Sequence, residues 1–155
     1  MELAWLDSAS KNCPSGRAGH SASLIDGRIY IVAGRTANGL VNEVRVLDVD
    51  SNQWHHVQAQ GRFPAREGHT AAVSQGDSIV VFGGYNGLYL NDLHIFDTKV
   101  RTWRQVSSHN PRPKPRAYAS GILAANNFII FGGCNRHHAK ECYGDGFFAD
   151  LASGE

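Results

Sequence analysis

Short apolar runs separated by polar turns extend along the whole chain. The first group consists of His20 to Ile25, Ile29 to Val32, Val44 to Leu47 and a run beginning at Trp54. These runs are rich in β-branched and aromatic residues, and Asp-Gly or Asn and Asp lie between them, which is typical of strands joined by tight turns. No credible helix pattern occurs. The pattern therefore predicts an all-β fold.

Two further groups repeat this order. The second group is Thr70 to Val73, Ile79 to Phe82, Leu93 to Phe96 and Trp103 to Val106. The third is Ser120 to Ala124, Phe128 to Phe131 and Phe147 to Leu151, with a longer loop before its last run. Four strands in each complete group predict small radial sheets.

The spacing of the groups is nearly constant. Trp5, Trp54 and Trp103 are each 49 residues apart. A period near 50 residues indicates a propeller array, in which each unit must stack on its neighbours to bury its faces. The residues that repeat in phase are Arg17, Arg66 and Arg116; Gly19 with His20 and Gly68 with His69; and Ala33-Gly34, Gly83-Gly84 and Gly132-Gly133.

The ordered set Arg-x-Gly-His, apolar run, Gly-Gly, Asn-Asp or Asn-Glu, Asp and Trp resembles the kelch repeat of galactose oxidase-like propellers. It is most complete in PAREGHTAAVSQGDSIVVFGGYNGLYLNDLHIFDTKVRTW. The third unit departs from it, since Tyr118 and Ala119 replace Gly and His. The resemblance implies four-stranded blades, a first strand lining the central channel, an outermost Trp strand, and a usual role as a protein-interaction platform.

On this basis residues 1–155 form a single kelch-repeat domain. An outermost strand and linker occupy 1–16, repeat 1 occupies 17–65, repeat 2 occupies 66–115, and an incomplete repeat 3 occupies 116–155. About three blades fall short of the four to eight that close a propeller. We therefore expect either part of a larger propeller or half of a six-bladed ring that a homodimer completes.

Composition narrows the classes of function. Hydrophobic residues make up 42% of the chain and charged residues 19%, as in an ordinary globular domain. A net charge of +1 gives no general attraction to nucleic acid or to membranes. Three cysteines and the absence of a signal-peptide pattern in MELAWLD favour a reducing, cytoplasmic location.

The loops joining strands two and three, together with the connectors between blades, emerge on one face and are the candidate binding surface. Because Arg and Tyr are enriched in interface hot spots, this face predicts a protein or peptide partner of acidic character. The predicted binding residues are Arg35, Asn38, Arg62, Tyr85, Asn86, Tyr89, Arg112, Arg136, His137 and His138.

Two roles are open for the repeated arginines and one is expected for the repeated histidines. Arg17, Arg66 and Arg116 could make structural ion pairs or bind an acidic peptide, because both roles use the same donor fork. For His20 and His69 we expect structural hydrogen bonds between blades.

Metal-dependent chemistry is the alternative class of function, and the binding-module interpretation expects no cofactor. Two thiols and two imidazoles, Cys134, His137, His138 and Cys142, could form a zinc site, although one short loop would have to wrap the metal. Glu141 and Asp145 match the first two places of the iron-binding Glu-x-x-x-Asp-x-x-x-His of the plant specifier proteins, which resemble this family, but Ala149 stands in the third place, so that iron site is not supported. No nucleophile elbow, phosphate loop or zinc-protease motif occurs, so no catalytic residue is predicted.

Overall fold

The computed structural model describes residue 4 and residues 12–74, 77–107, 112–135 and 141–152. Within these ranges the chain is all-β, as the sequence predicts, and forms antiparallel sheets. The described residues include no helix with the length and apolar character needed to cross a membrane.

The first blade is a four-stranded antiparallel sheet with a small three-stranded extension. The strands of the blade are β1 (Arg17–Ala18), β2 (Ser21–Ile25), β3 (Arg28–Val32), β4 (Arg35–Thr36), β5 (Gly39–Leu40), β6 (Val44–Asp48) and β7 (Gln53–Val57). The sheet has the order β2-β3-β6-β7, and the extension has the order β1-β4-β5.

The second blade is the most regular. Its four strands are β8 (Thr70–Ser74), β9 (Ser78–Tyr85), β10 (Tyr89–Asp97) and β11 (Thr102–Val106), and they pair in the order β11-β10-β9-β8. Each neighbour in the sheet is therefore also a neighbour in sequence, which is the meander expected of a propeller blade.

The third blade has three described strands and a separate hairpin. The strands are β12 (Ser120–Ala124), β13 (Asn127–Phe131), β14 (Cys134–Asn135), β15 (Glu141–Cys142) and β16 (Gly146–Asp150). The sheet order is β12-β13-β16, and β14 pairs with β15.

Strand alternation places the core between blades. One cluster joins blades one and two, with Tyr30 and Val46 on one side and Ile79 and Phe96 on the other. A second cluster joins blades two and three through Val80, Phe82, Ile95, Phe128 and Ile130. Adjacent residues of β9 thus point to opposite neighbours, because side chains alternate across a strand. This packing explains why the apolar runs are hydrophobic on both faces.

The constant spacing of the tryptophans reflects their equivalent positions in the outermost strands. Trp103 pairs with Phe96 across β10 and β11, and Trp54 pairs with Leu47 across β6 and β7. The Trp103 ring also stacks on Phe63 of the preceding connector, with centroids 3.8 Å apart. Trp5 lies outside the described residues.

One local prediction differs from the structure. The sequence predicts loops between strands two and three, but β4 and β5 pair within the first of them, and β9 and β10 likewise continue past Gly83-Gly84. The glycines bend the ladder without ending it, since their positive φ angles of 63° and 101° redirect the backbone while pairing resumes beyond them.

Candidate functional site

Three short hairpins and two blade connectors form one end of the blades. The connectors pair with the hairpins, because Ala18 pairs with Arg35, Glu67 with Tyr85, and Ala117 with Cys134. We call this surface the loop face. It comprises the hairpins of residues 34–41, 84–90 and 133–135 with 141–143, and the described connector residues 58–68 and 112–118.

The glycine pairs make this end compact. A Cβ added at Gly84 would lie 2.7 Å from the Glu67 carbonyl oxygen, and one at Gly133 would lie 2.8 Å from the Ala117 carbonyl oxygen. Real Cβ atoms do not approach backbone oxygens so closely. The second glycine of each pair is therefore required by the contact between hairpin and connector.

A line of backbone hydrogen bonds crosses the three blades at the entry to their first strands. The Gly68 N–H donates to the Gly19 carbonyl at 2.8 Å, and the Tyr118 N–H donates to the Gly68 carbonyl at 2.6 Å. All three residues have φ near +60°. Tyr118 thus occupies a position that glycine fills in the other repeats, and it adopts the left-handed conformation at an energetic cost for a bulky residue.

The repeated arginines are structural. Arg66 is fully buried and makes a bidentate pair with Asp92 at 2.7 and 2.9 Å, while also donating to the Gly83 carbonyl at 3.0 Å. Arg116 makes the same set of bonds, to Asp145 and the Gly132 carbonyl. The Arg17 side chain pairs with Glu43 and is almost wholly covered. Buried, paired guanidinium groups are not available to an outside peptide, so the geometry favours the structural role.

Asp92 is the centre of a buried polar cluster in blade two. Its Oδ2 lies 2.8 Å from Nε2 of His94, which is itself 1% exposed. Burial raises the pKa of the Asp92 carboxyl, but hydrogen bonds from His94 and Arg66, with the Arg66 charge, lower it further. The net result is a pKa well below the ordinary range, so the carboxylate is ionised under all ordinary conditions.

Asp145 is a site residue that the sequence pattern did not assign. It supplies the acidic partner of the third repeat, and the hydrogen bond from Arg116 lowers its pKa despite the opposing effect of burial. The sequence spacing could have identified Asp145, because it follows Asp92 by 53 residues, as Asp150 follows Asp97. Its carboxylate is therefore committed to a structural pair, which argues further against an iron site of the specifier type.

His69 joins two blades. Its Nε2 lies 2.8 Å from Oγ of Ser21, which begins the first strand of the neighbouring blade. Burial lowers the pKa of His69 to about 3, with a smaller contribution from the Arg66 charge. The imidazole is therefore neutral at physiological pH. His20, at the same repeat position in blade one, is exposed.

The predicted binding residues on the loop face fall into two groups. Arg35 is already engaged, because its guanidinium lies 2.7 to 2.9 Å from Oε1 of Glu67 in the next blade. Tyr85 and Tyr89 pack against each other with ring centroids 5.1 Å apart. The structure exposes Asn38, Arg62, Asn86 and Arg112, whereas Arg136, His137 and His138 lie outside the described residues.

The proposed zinc ligands are only partly described. Cys134 is buried, Cys142 is exposed, and both are free thiols that pair across β14 and β15. No group of three or more metal-binding side chains occurs among the described residues. The zinc hypothesis needs His137 and His138, which lie outside them, so it stays a prediction.

Comparison with known families agrees with this geometry. The family model described as the KLHDC2/KLHL20/DRC7 Kelch-repeats domain matches residues 2–133 and again residues 62–153. The two matches overlap, as expected when one repeated unit can be aligned in more than one register. A search of curated proteins finds no match. The two family matches together cover nearly the whole sequence, and the chain belongs to the kelch-repeat family.

Proposed function

We propose that this kelch domain is a protein-interaction module that binds a protein or peptide through its loop face. The observation that carries the proposal is Tyr118, which is 61% exposed and stands in a left-handed backbone position where the other repeats have glycine. Most of its surface is therefore open to a partner. Strain of this kind concentrates at binding sites, where the aromatic side chain repays it by contact with a partner.

Other aromatic and charged groups lie around Tyr118. Its ring lies over Gly68, since a Cβ built there would be 2.9 Å from it. Glu67 links this ring to the other two groups, because its carboxylate pairs with Arg35, its backbone pairs with Tyr85, and Gly68 follows it in the chain. The three blades therefore contribute Arg35, Tyr85 and Tyr118 to one patch, a mixture of residue types typical of recognition surfaces.

An acidic partner is the finer part of the proposal. Because Glu67 neutralises Arg35, the exposed cations that support it are on the connectors. Arg62 and Arg112 are exposed and occupy equivalent positions 50 residues apart, and Lys114 is exposed nearby. Exposed guanidinium groups on both connectors would favour carboxylates of a bound peptide. We propose that this binding takes place in the cytoplasm and needs no cofactor.

We also propose a homodimer that completes a six-bladed ring. The end face of blade three carries Phe148, 72% exposed, paired with Ile129, whereas the equivalent pair in blade two, Ile95 and Val80, is buried against blade three. The end face of blade one carries Leu47 and Trp54 at the positions of buried Phe96 and Trp103.

The residues of both end faces are therefore equivalent to residues that are buried between neighbouring blades. The face on blade one corresponds to the side of blade two that packs on blade one, and the face on blade three corresponds to the side that packs on blade three. Each would fit the opposite end of a second copy. A two-fold arrangement would cover all four apolar faces in one closed ring.

Tyr118→Gly tests the binding proposal sharply, because it restores the glycine of the other repeats. We expect weaker binding by about 1 to 3 kcal/mol, a typical hot-spot loss, with unchanged or higher thermal stability. Partners captured by wild-type protein would be quantified, and their affinities measured by isothermal titration calorimetry.

The matched control is Val49→Ala, since Val49 is 48% exposed and its N–H donates to the Gly27 carbonyl, in the turns of blade one at the end opposite to the hairpins. This variant should bind as wild type does. Unchanged affinity in both Tyr118→Gly and Tyr85→Ala would contradict the assignment of the loop face.

A further inference from the structure

The hairpin of the third blade places two cysteines directly opposite each other. Cys134 pairs with Cys142 in the β14-β15 ladder. The Cys134 N–H donates to the Ala117 carbonyl at 2.8 Å, and its carbonyl accepts from the Ala117 N–H at 3.0 Å. Both backbone groups of Cys134 therefore point away from Cys142, and the flanking bond runs from the Tyr143 N–H to the Gly133 carbonyl at 2.8 Å.

This arrangement is a non-hydrogen-bonded cross-strand pair. In such pairs the Cα atoms are about 4.5 Å apart and the side chains lie close together. Disulfides span Cα separations of about 4.4 to 6.8 Å, so the spacing suits a direct bond without movement of the strands.

The second blade shows how side chains behave at this position. Tyr85 makes the same two backbone bonds, at 2.8 and 3.0 Å, to Glu67 of its connector, and it faces Tyr89 as Cys134 faces Cys142. The rings of Tyr85 and Tyr89 are in contact, with centroids 5.1 Å apart. Side chains at this repeated position therefore project to the same side of the hairpin.

We propose that Cys134 and Cys142 form a reversible disulfide by exchange with a low-molecular-weight disulfide such as oxidised glutathione. The exposed Cys142 thiolate attacks one sulfur of that disulfide, forming a mixed disulfide and releasing one glutathione thiolate. The Cys134 thiolate then attacks Sγ of Cys142 and releases the second glutathione thiolate. The two cysteine protons pass to the departing thiolates, so two cysteines are oxidised and one glutathione disulfide is reduced to two thiols.

The difference in exposure between the cysteines assigns their order of reaction. Cys142 is exposed and accessible to a small disulfide, whereas Cys134 is buried opposite it in the ladder. In a reducing compartment the pair would be reduced at rest and oxidised transiently, as is usual for redox-sensitive cysteines there. This proposal stands independently of the proposed binding function.

Peptide mapping tests the proposal directly, because trypsin cleaves after Arg136 and Lys140, between the two cysteines. The full chain would be equilibrated in glutathione buffers of graded redox ratio, quenched with an alkylating reagent, and digested without reduction. We expect the two cysteine peptides to appear as one linked species that is two hydrogens lighter than their sum. Reduction with dithiothreitol should abolish it.

Single variants and the third cysteine supply the controls. In Cys134→Ser, Cys142 should stop at the glutathione adduct, and in Cys142→Ser, Cys134 should remain a thiol that is alkylated when the quenched protein is unfolded. Cys13, which is exposed, should acquire only a glutathione adduct and so reports that the oxidant is active. Glutathione adducts on Cys13 and Cys142 without any linked peptide would overturn the proposal, as would a linked peptide that contains Cys13 instead.

Discussion

Lowering the pH from 7 to 5 should destabilise the domain through His69. Its folded-state pKa is about 3, held there mainly by burial, whereas an unfolded histidine titrates near 6.5. Between these values the unfolded chain binds a proton that the folded chain excludes, so stability falls as pH falls through the window. Integration of the linkage relation gives a loss of about 2 kcal/mol between pH 7 and pH 5. A folded pKa one unit higher would scarcely change this value, because pH 5 lies above both.

The measurement is urea unfolding followed by tryptophan fluorescence at pH 7, 6 and 5, for wild type and for His69→Gln. The glutamine amide can still bond Ser21 but does not titrate, so its unfolding free energy should be flatter over this range by about 2 kcal/mol. His55→Gln is the control, since His55 is an exposed histidine on β7. A wild-type slope equal to that of His69→Gln would refute the assignment of a buried, neutral imidazole.

Two further predictions concern the buried ion pair and the end faces. Asp92→Asn should leave the buried Arg66 without a counter-charge and lower the unfolding free energy by about 3 to 5 kcal/mol. Asp48→Asn, which removes a solvent-exposed pair with Arg28, should cost much less, and equal losses in urea unfolding would contradict this. In analytical ultracentrifugation we expect a dimer of the 16.9 kDa chain, and Phe148→Lys should dissociate it. Leu88→Lys should leave the dimer intact, because Leu88 is equally exposed but lies away from the end faces. A monodisperse wild-type monomer would rule the ring out.

Most of the fold could be predicted because packing between blades repeats. A strand whose residues alternate between two neighbouring blades must be apolar on both faces, so Ile79 to Phe82 reads as an uninterrupted hydrophobic run. The second glycine of each pair could be predicted equally well, because its contact with the connector leaves no room for a Cβ and recurs in each blade. The hairpins beyond the glycines could not be predicted, because strands as short as β4 and β5 show no alternation of apolar and polar residues.

The roles of the arginines could be read only from three-dimensional positions. Arg66 as a buried partner of Asp92 and Arg66 as a peptide ligand would use the same guanidinium fork, and sequence spacing does not show where its acceptors lie. The separation of Arg66 and Asp92 is 26 residues, whereas that of Arg116 and Asp145 is 29. Because the third hairpin is longer, Asp145 does not keep the spacing of the repeat, although it makes the same ion pair with its arginine.

The candidate binding residues are hard to predict for a related reason. In a repeat protein the residues that recur are those that pack within and between blades, so a surface that recognises one partner must consist of the departures from the repeat. The hairpin position next to the second glycine illustrates this, because its backbone pairing is the same in all three blades while its residue is Arg35, Tyr85 or Cys134. Tyr118 in place of Gly19 or Gly68 is the same kind of departure. We therefore expect the residues that select a partner at positions where the backbone pairing repeats between blades but the side chain does not. Because the backbone pairing at these positions does not depend on the side chain, substitutions there should change binding without unfolding the domain.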